Sequence, residues 1–173
     1  LHLVLRRQRQ MCIRDRLTGT PVFRARRIEA GLMGTTEFDN TTTPFDAGLG
    51  HFVQMDKHDF IGKEALEKAD KRSRTFGMRV LGGIAERGRT ISLGDDLVGI
   101  VCSSTWSPYQ ECGVALVRMD NPEMGPSTEV KVLGTDGKTY SAKLCGLPMY
   151  DPEGTIVRGK NTTIPKGPEP WTG

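Results

Sequence analysis

Apolar and polar residues alternate along the second half of the chain. Phe76, Met78 and Val80 are separated by single residues, and a period of two is typical of a strand with one buried face. Further short apolar runs follow at residues 97–102, 112–118, 129–133 and 139–144. Asp-Gly at 136–137 is a hairpin signal between two of these runs. Five or six short strands in roughly 70 residues predict a small antiparallel barrel or sandwich.

The first half of the chain predicts fewer regular elements. Four apolar residues recur at helical spacing within residues 59–72, which predicts a helix there. Residues 26–32 (RRIEAGL) predict a short strand that ends at glycines, and residues 51–55 predict another short strand. Residues 35–44 are polar and predict a loop.

These elements together predict an α+β fold. Residues 17–72 are expected to be the remnant of an α/β domain, and residues 73–150 a small antiparallel β-barrel. Gly99 and Gly113 lie inside predicted strands of the barrel, where glycine indicates a bend or bulge. Residues 151–173 are rich in Pro, Gly and Thr and predict a tail that Trp171 either anchors or leaves mobile.

The positive charge of the chain is concentrated at its beginning. The formal net charge is +3, but without residues 1–16 the acidic residues slightly outnumber the basic ones. Residues 1–16 could be a basic arm for nucleic acid or a targeting segment. The run RQMCIRDR also resembles translated adapter sequence found at the ends of environmental DNA assemblies. We therefore expect residues 1–16 to be non-native and the reading frame to be cut, so that the chain is the C-terminal part of a longer protein.

The sequence argues against a disulfide framework, a metal site and a membrane-spanning helix. The four cysteines form no CxxC pair, which favours reduced thiols in a cytosolic protein over a disulfide framework or a zinc site. The three histidines are too scattered to indicate a metal. No apolar run approaches the roughly 20 residues of a membrane-spanning helix. We expect a cytoplasmic protein that binds neither nucleic acid nor a membrane.

Glu29 is the candidate binding residue within residues 26–32. On a strand, Arg27 and Glu29 would point to the same face. A carboxylate there can accept two parallel hydrogen bonds from a flat N–H edge, such as an amidine or a pterin ring. On these seven residues alone, an ordinary surface ion pair beside a turn glycine is the favoured explanation, because exposed ion pairs are common.

Five sequence blocks in a fixed order resemble one known family. They are RRIEAGL, TTPFDAGLG, KHDFIGKEAL, VGIVCSSTWSPYQECGVALVRM, and residues 142–148 before the tail. Over residues 25–148 they resemble the C-terminal part of the glycine cleavage T-protein (aminomethyltransferase) family. That family includes dimethylsulfoniopropionate demethylase and the folate domains of dimethylglycine and sarcosine dehydrogenases.

The resemblance implies a tetrahydrofolate-dependent one-carbon transfer. Glu29 matches the glutamate of the RxEAG motif, which binds the folate pterin in the family. Lys57 lies near a second, often basic, folate contact, with the spacing from Glu29 one residue shorter. The resemblance also implies that residues 17–72 belong to the folate-binding domain. The family's catalytic aspartate lies in its N-terminal half and has no counterpart here, so we expect the chain as given to be inactive.

One departure and several open alternatives accompany this interpretation. The family often has Tyr-Gly-Asn-Asp where this chain has Gly34-Thr35-Thr36-Glu37. The implied donor is an amine or a sulfonium, either a small molecule or an aminomethyl group on a lipoyl carrier protein, and the sequence does not separate them. The alternative from another class is a non-catalytic β-barrel that serves as a binding or interaction module.

Overall fold

A computed structural model describes residues 19–155 and 158–161. The elements, in chain order, are helix α1 (Thr20–Glu29), a 3-10 turn (Gly50–Phe52), helix α2 (Lys63–Lys68), and strands β1 (Thr75–Val80), β2 (Thr90–Leu93), β3 (Asp96–Ser107), β4 (Cys112–Met119), β5 (Glu129–Leu133) and β6 (Thr139–Cys145). The predicted segment 1–16, and Trp171 with most of the tail, lie outside the described residues.

The six strands form a closed antiparallel barrel. Their order around the barrel is β1-β4-β3-β2-β5-β6, and closure leaves no free sheet edge. Alternate residues of each strand fill the interior, including Met78, Val80, Val101 and Ala115. The predicted α+β fold with a small antiparallel barrel is therefore confirmed.

Helix α1 packs against the outside of the barrel. Pro21 occupies its first turn, where a missing N–H costs nothing. Ala25 and Ile28 face the barrel, and Ile28 contacts a second apolar cluster with Cys112, Val114 and Leu116 on the outer face of β4. The backbone N–H of Met149 donates to the Glu29 carbonyl at 2.7 Å, which ties the segment after β6 to the end of the helix.

Two strand predictions for the first half of the chain are wrong, and one predicted helix is shorter than expected. Residues 26–32 are the end of α1 and the turn after it, not a strand. Residues 51–55 contain only the last part of the 3-10 turn. The predicted helix at 59–72 is reduced to the six residues of α2, which begin after Gly62 in the left-handed region (φ 90°) and bury no side chain.

Two bulges interrupt the long strand β3. Val98 has no partner between the pairs Ile91↔Gly99 and Ser92↔Leu97. Cys102 has none between Val101↔Val117 and Ser103↔Leu116. The bend expected at Gly99 thus coincides with the first bulge. Gly113 instead marks a close approach, because a Cβ there would overlap the carbonyl oxygen of Gly83.

Candidate functional site

Glu29 lies at the last position of α1, where the helix meets the barrel. Its side chain is 1% exposed, although carboxylates are rarely buried without partners. It is buried because it follows Ile28 on the face of the helix that contacts the barrel. The structure therefore places the predicted binding residue inside an interface, on a rigid element.

Both oxygens of the Glu29 carboxylate have a partner. The Ser107 hydroxyl donates a short hydrogen bond to Oε1. Arg26, one helical turn earlier, donates from Nη1 to Oε2 at 2.7 Å. The guanidinium of Arg26 also lies over the Tyr109 ring, 5.6 Å from its centroid, within the range of a cation–π contact. An ionised carboxylate accepts about four hydrogen bonds, so these two partners leave acceptor capacity.

The bulge at Cys102 explains why Ser107 faces the helix. Val101 points into the barrel with its partner Val117. Without a bulge, every second residue after Val101 would also point inward. The extra residue reverses the alternation, so Ser107 is paired with Cys112 on the outer face of β4. The unpaired residue Cys102 therefore places the Ser107 hydroxyl on the face of β3 that contacts Glu29.

Gln110 is a buried polar residue beside this site that sequence reasoning missed. Its backbone N–H donates to the Ser107 hydroxyl oxygen at 3.0 Å. Its side chain is buried, and neither the amide oxygen nor the amide nitrogen has a hydrogen-bond partner among the residues that the structure describes. Unpaired buried amides are uncommon and costly. No sequence signal marked Gln110, because only the turn between β3 and β4 brings it to Ser107.

Arg27 does not share a face with Glu29, contrary to the strand prediction. It pairs with Glu37, at 2.9 Å from Nη1 to Oε2. Burial raises the pKa of the Glu37 carboxyl, but the Arg27 guanidinium and neighbouring hydroxyl and N–H donors outweigh burial and hold that pKa below its usual value. Glu37 also accepts a hydrogen bond from the Gly34 N–H at 2.5 Å and so closes the loop at residues 34–37.

Lys57 is not among the hydrogen-bond or ion-pair partners of Glu29 in the described part of the chain. It is exposed, in the segment before α2, and its carbonyl accepts a hydrogen bond from the Lys63 ammonium at 2.7 Å. The geometry brings Glu29, Arg26, Ser107 and Gln110 together and leaves Lys57 outside.

A partly apolar pocket of about 400 Å³ lies beside the end of α1. Its lining includes Ala30 and Gly31, the segment Leu147-Pro148, and Phe76 of β1. Its lining residues Ala30 and Gly31 follow Glu29 directly in the chain. The size and lining of the pocket suit part of a ring-containing ligand.

The described residues contain neither a metal-binding cluster nor a membrane-spanning helix. Among residues 19–155 and 158–161, no group of three or more His, Cys, Asp or Glu side chains is placed to hold a metal ion. In the same part of the chain, no helix has the length and apolar character needed to cross a bilayer.

Comparison with known proteins identifies the barrel. Residues 71–151 match the family model of the glycine cleavage T-protein C-terminal barrel domain. The chain is 35% identical over 130 residues to an aminomethyltransferase of Prochlorococcus marinus, covering 72% of this chain and 35% of that protein. It is 36% identical over 129 residues to an aminomethyltransferase of Pseudothermotoga lettingae, with the same two coverages.

A solved structure shows the same fold. The crystal structure of glycine cleavage system aminomethyltransferase T from Bartonella henselae superposes with a TM-score of 0.71 at 23% identity, over 86% of this chain and 44% of that chain. The chain thus spans only about 35% of the length of the curated relatives it matches. By its family model and its fold, the segment 71–151 is a glycine cleavage T-protein C-terminal barrel domain, and the chain is similar to the C-terminal part of aminomethyltransferases.

Proposed function

We propose that this chain is part of a tetrahydrofolate-dependent transferase, in which Glu29 accepts hydrogen bonds from the pterin ring. The transferase would move a one-carbon unit from an amine or sulfonium donor, free or on a lipoyl carrier protein. Tetrahydrofolate would supply the nitrogen that accepts this unit. Similarity to relatives that are named aminomethyltransferases supports the reaction class.

The observation that carries the proposal is the preorganised carboxylate of Glu29. Its position is fixed by a helix, by the Ser107 hydroxyl and by Arg26. A buried carboxylate is a stronger acceptor than an exposed one, because the surrounding dielectric is low. A group held in this way orients a flat ring without transferring a proton, and orientation alone can contribute much of a rate enhancement.

Arg26 is the partner that a ligand can replace. Its side chain is 53% exposed, whereas that of Glu29 is 1% exposed, so Arg26 covers the carboxylate from the solvent side. In our proposal, the pterin N–H edge displaces Nη1 of Arg26 from Oε2, and the guanidinium keeps its contact with the Tyr109 ring. Ser107 retains its bond to Oε1 and keeps the carboxylate in position.

Lys57 is proposed as a second folate contact. It is exposed and forms no side-chain ion pair within the described residues, so its ammonium is available to an anionic group. Because it does not contact Glu29, it would meet a different part of the cofactor.

The test is the affinity of the 173-residue chain for tetrahydrofolate, measured by anaerobic calorimetric titration. Glu29→Gln keeps the size of the side chain but removes the charge, and we expect at least a roughly tenfold loss of affinity, about the worth of one charge-assisted hydrogen bond. Glu37→Gln is the matched control, because Glu37 is also buried and paired with an arginine. Its affinity should match the wild type.

Two outcomes would contradict the proposal. Equal affinity of Glu29→Gln and the wild type would remove Glu29 from the binding site. Absence of saturable binding by a folded wild-type chain would favour the non-catalytic barrel module.

A further inference from the structure

Two basic residues lie directly opposite each other on the barrel wall. Arg79 of β1 and Lys143 of β6 are partners in the antiparallel register. Side chains of such partners start about 5 Å apart on the same face, and like charges at these positions are destabilising. A negative charge beside Arg79 and Lys143 would therefore stabilise the pair.

The protein supplies little compensation. Arg79 donates from Nη2 to the Met149 carbonyl at 3.0 Å, while its Nε is buried and has no hydrogen-bond partner within residues 19–155 and 158–161. Glu129 is opposite Lys143 on the other side, but no ion pair within 4.0 Å joins these two or involves Arg79 among the described residues. A partly buried guanidinium with an unused donor is costly.

A pocket of about 210 Å³ opens at this pair. It is lined by Arg79, Pro126, Ser127, Lys143, Leu144, Cys145 and Gly146. Ser127 has φ 77°, a left-handed conformation that is strained for a serine. Its N–H donates to the Leu144 carbonyl at 2.8 Å. Strained backbone held in place beside unpaired donors is typical of a binding site.

We propose that Arg79 and Lys143 bind an oxyanion in this pocket. The planar guanidinium offers paired N–H donors that match a carboxylate or phosphate, and the lysine adds a point charge. The anion would neutralise the cross-strand repulsion and satisfy the buried Nε.

Two kinds of molecule carry an oxyanion that would fit this pocket. One is a free oxyanion such as inorganic phosphate. The other is the glutamate carboxylates of a folate, and this source rests on the function proposed above. Gly146 lines both this pocket and the one beside the end of α1, so the two pockets are neighbours.

The first experiment titrates inorganic phosphate into the full chain, followed by amide NMR shifts at constant ionic strength set with chloride. We expect saturable shifts at Ser127, Cys145 and Gly146. Arg79→Met and Lys143→Met should each weaken binding about tenfold or more, the loss expected for one charge-assisted contact. The controls Arg87→Met and Lys131→Met remove exposed charges elsewhere and should bind phosphate as the wild type does.

The second experiment separates the sources. Folate is compared with pteroic acid, which lacks the glutamate. If the glutamate occupies the pocket, Arg79→Met weakens folate binding and leaves pteroic acid binding unchanged. If Arg79→Met leaves the binding of both compounds unchanged, the pocket is assigned to free oxyanions. Failure of every variant to bind pteroic acid would contradict the role of Glu29 while leaving the phosphate result intact. Absence of saturable phosphate shifts, or shifts unchanged in both Met variants, would overturn the oxyanion site.

Discussion

The Ser107 hydroxyl donates a hydrogen bond to the Glu29 carboxylate across a separation of 78 residues. This bond joins the end of α1 to the end of β3 and holds the candidate binding residue against the barrel. The same hydrogen bond therefore stabilises the contact between α1 and the barrel and fixes the position of the Glu29 carboxylate.

Ser107→Ala should destabilise the protein by about 1–3 kcal/mol, because it leaves a buried carboxylate oxygen without its donor. The measurement is the free energy of unfolding from urea denaturation. Ser141→Ala, at an exposed position of β6, is the control and should change stability by less than about 0.5 kcal/mol. Equal effects of the two substitutions would show that the bond contributes nothing.

The Arg27–Glu37 pair should make stability depend on pH. The pKa of Glu37 is below 4.5 in the folded protein, so the stabilisation is present above that value and is lost as pH falls through the folded pKa. Urea midpoints should therefore decrease below about pH 4.5.

Glu37→Gln should flatten this decrease, at the cost of lower stability at pH 7. Asp70→Asn is the comparison variant. Asp70 pairs with Arg72 at the surface, and added salt screens such pairs. If Glu37→Gln shows the same pH dependence of stability as the wild type, protonation of Glu37 is not the cause of the decrease.

Buried thiols should react slowly in the native protein. Burial raises the pKa of Cys102 and Cys112, and raises the pKa of Cys145 to about 11. Only the thiolate is nucleophilic, so about one Cys145 in a thousand is reactive at roughly pH 8. Alkylation followed by mass spectrometry should leave these three residues unmodified in buffer and label them in denaturant. Rapid native labelling of any of them would contradict their burial.

Gly113→Ala should destabilise the barrel by about 1–3 kcal/mol. The new Cβ would overlap the carbonyl oxygen of Gly83 and lie 3.1 Å from the Cβ of Val80. Gly125→Ala is the control, because a Cβ there meets no atom within 4 Å. Thermal unfolding of both variants decides the question, and a similar Tm for the two would refute the close approach.

Strands of the barrel were predictable because their apolar residues alternate over enough positions. Residues 129–133 coincide with β5, and Phe76, Met78 and Val80 belong to β1. Strand β2 was missed because its four residues are too few to show a period. The bulge at Cys102 was also hidden, since it depends on how β3 pairs with β4 and not on the residues of β3 alone.

Helix α1 was mistaken for a strand although the signals of a helix were present. Ala25 and Ile28 are three residues apart, Pro21 begins the helix, and Gly31 follows its end with φ 71°. A window confined to residues 26–32 is too short to separate a period of 3.6 from a period of 2. Glu29 stays a predicted binding residue, and its neighbours Ser107 and Gln110 come from tertiary structure, which no local sequence pattern reveals.

The bulge at Cys102 makes β3 sensitive to the parity of its length. Removing one residue between Val101 and Ser107 would turn Ser107 into the barrel and expose an interior side chain to α1, even if every remaining residue were unchanged. Removing two would keep each side chain on its face. Related barrels that present a hydroxyl to the helix should therefore differ in this segment by even numbers of residues, whereas odd changes should accompany a different partner for the helix carboxylate.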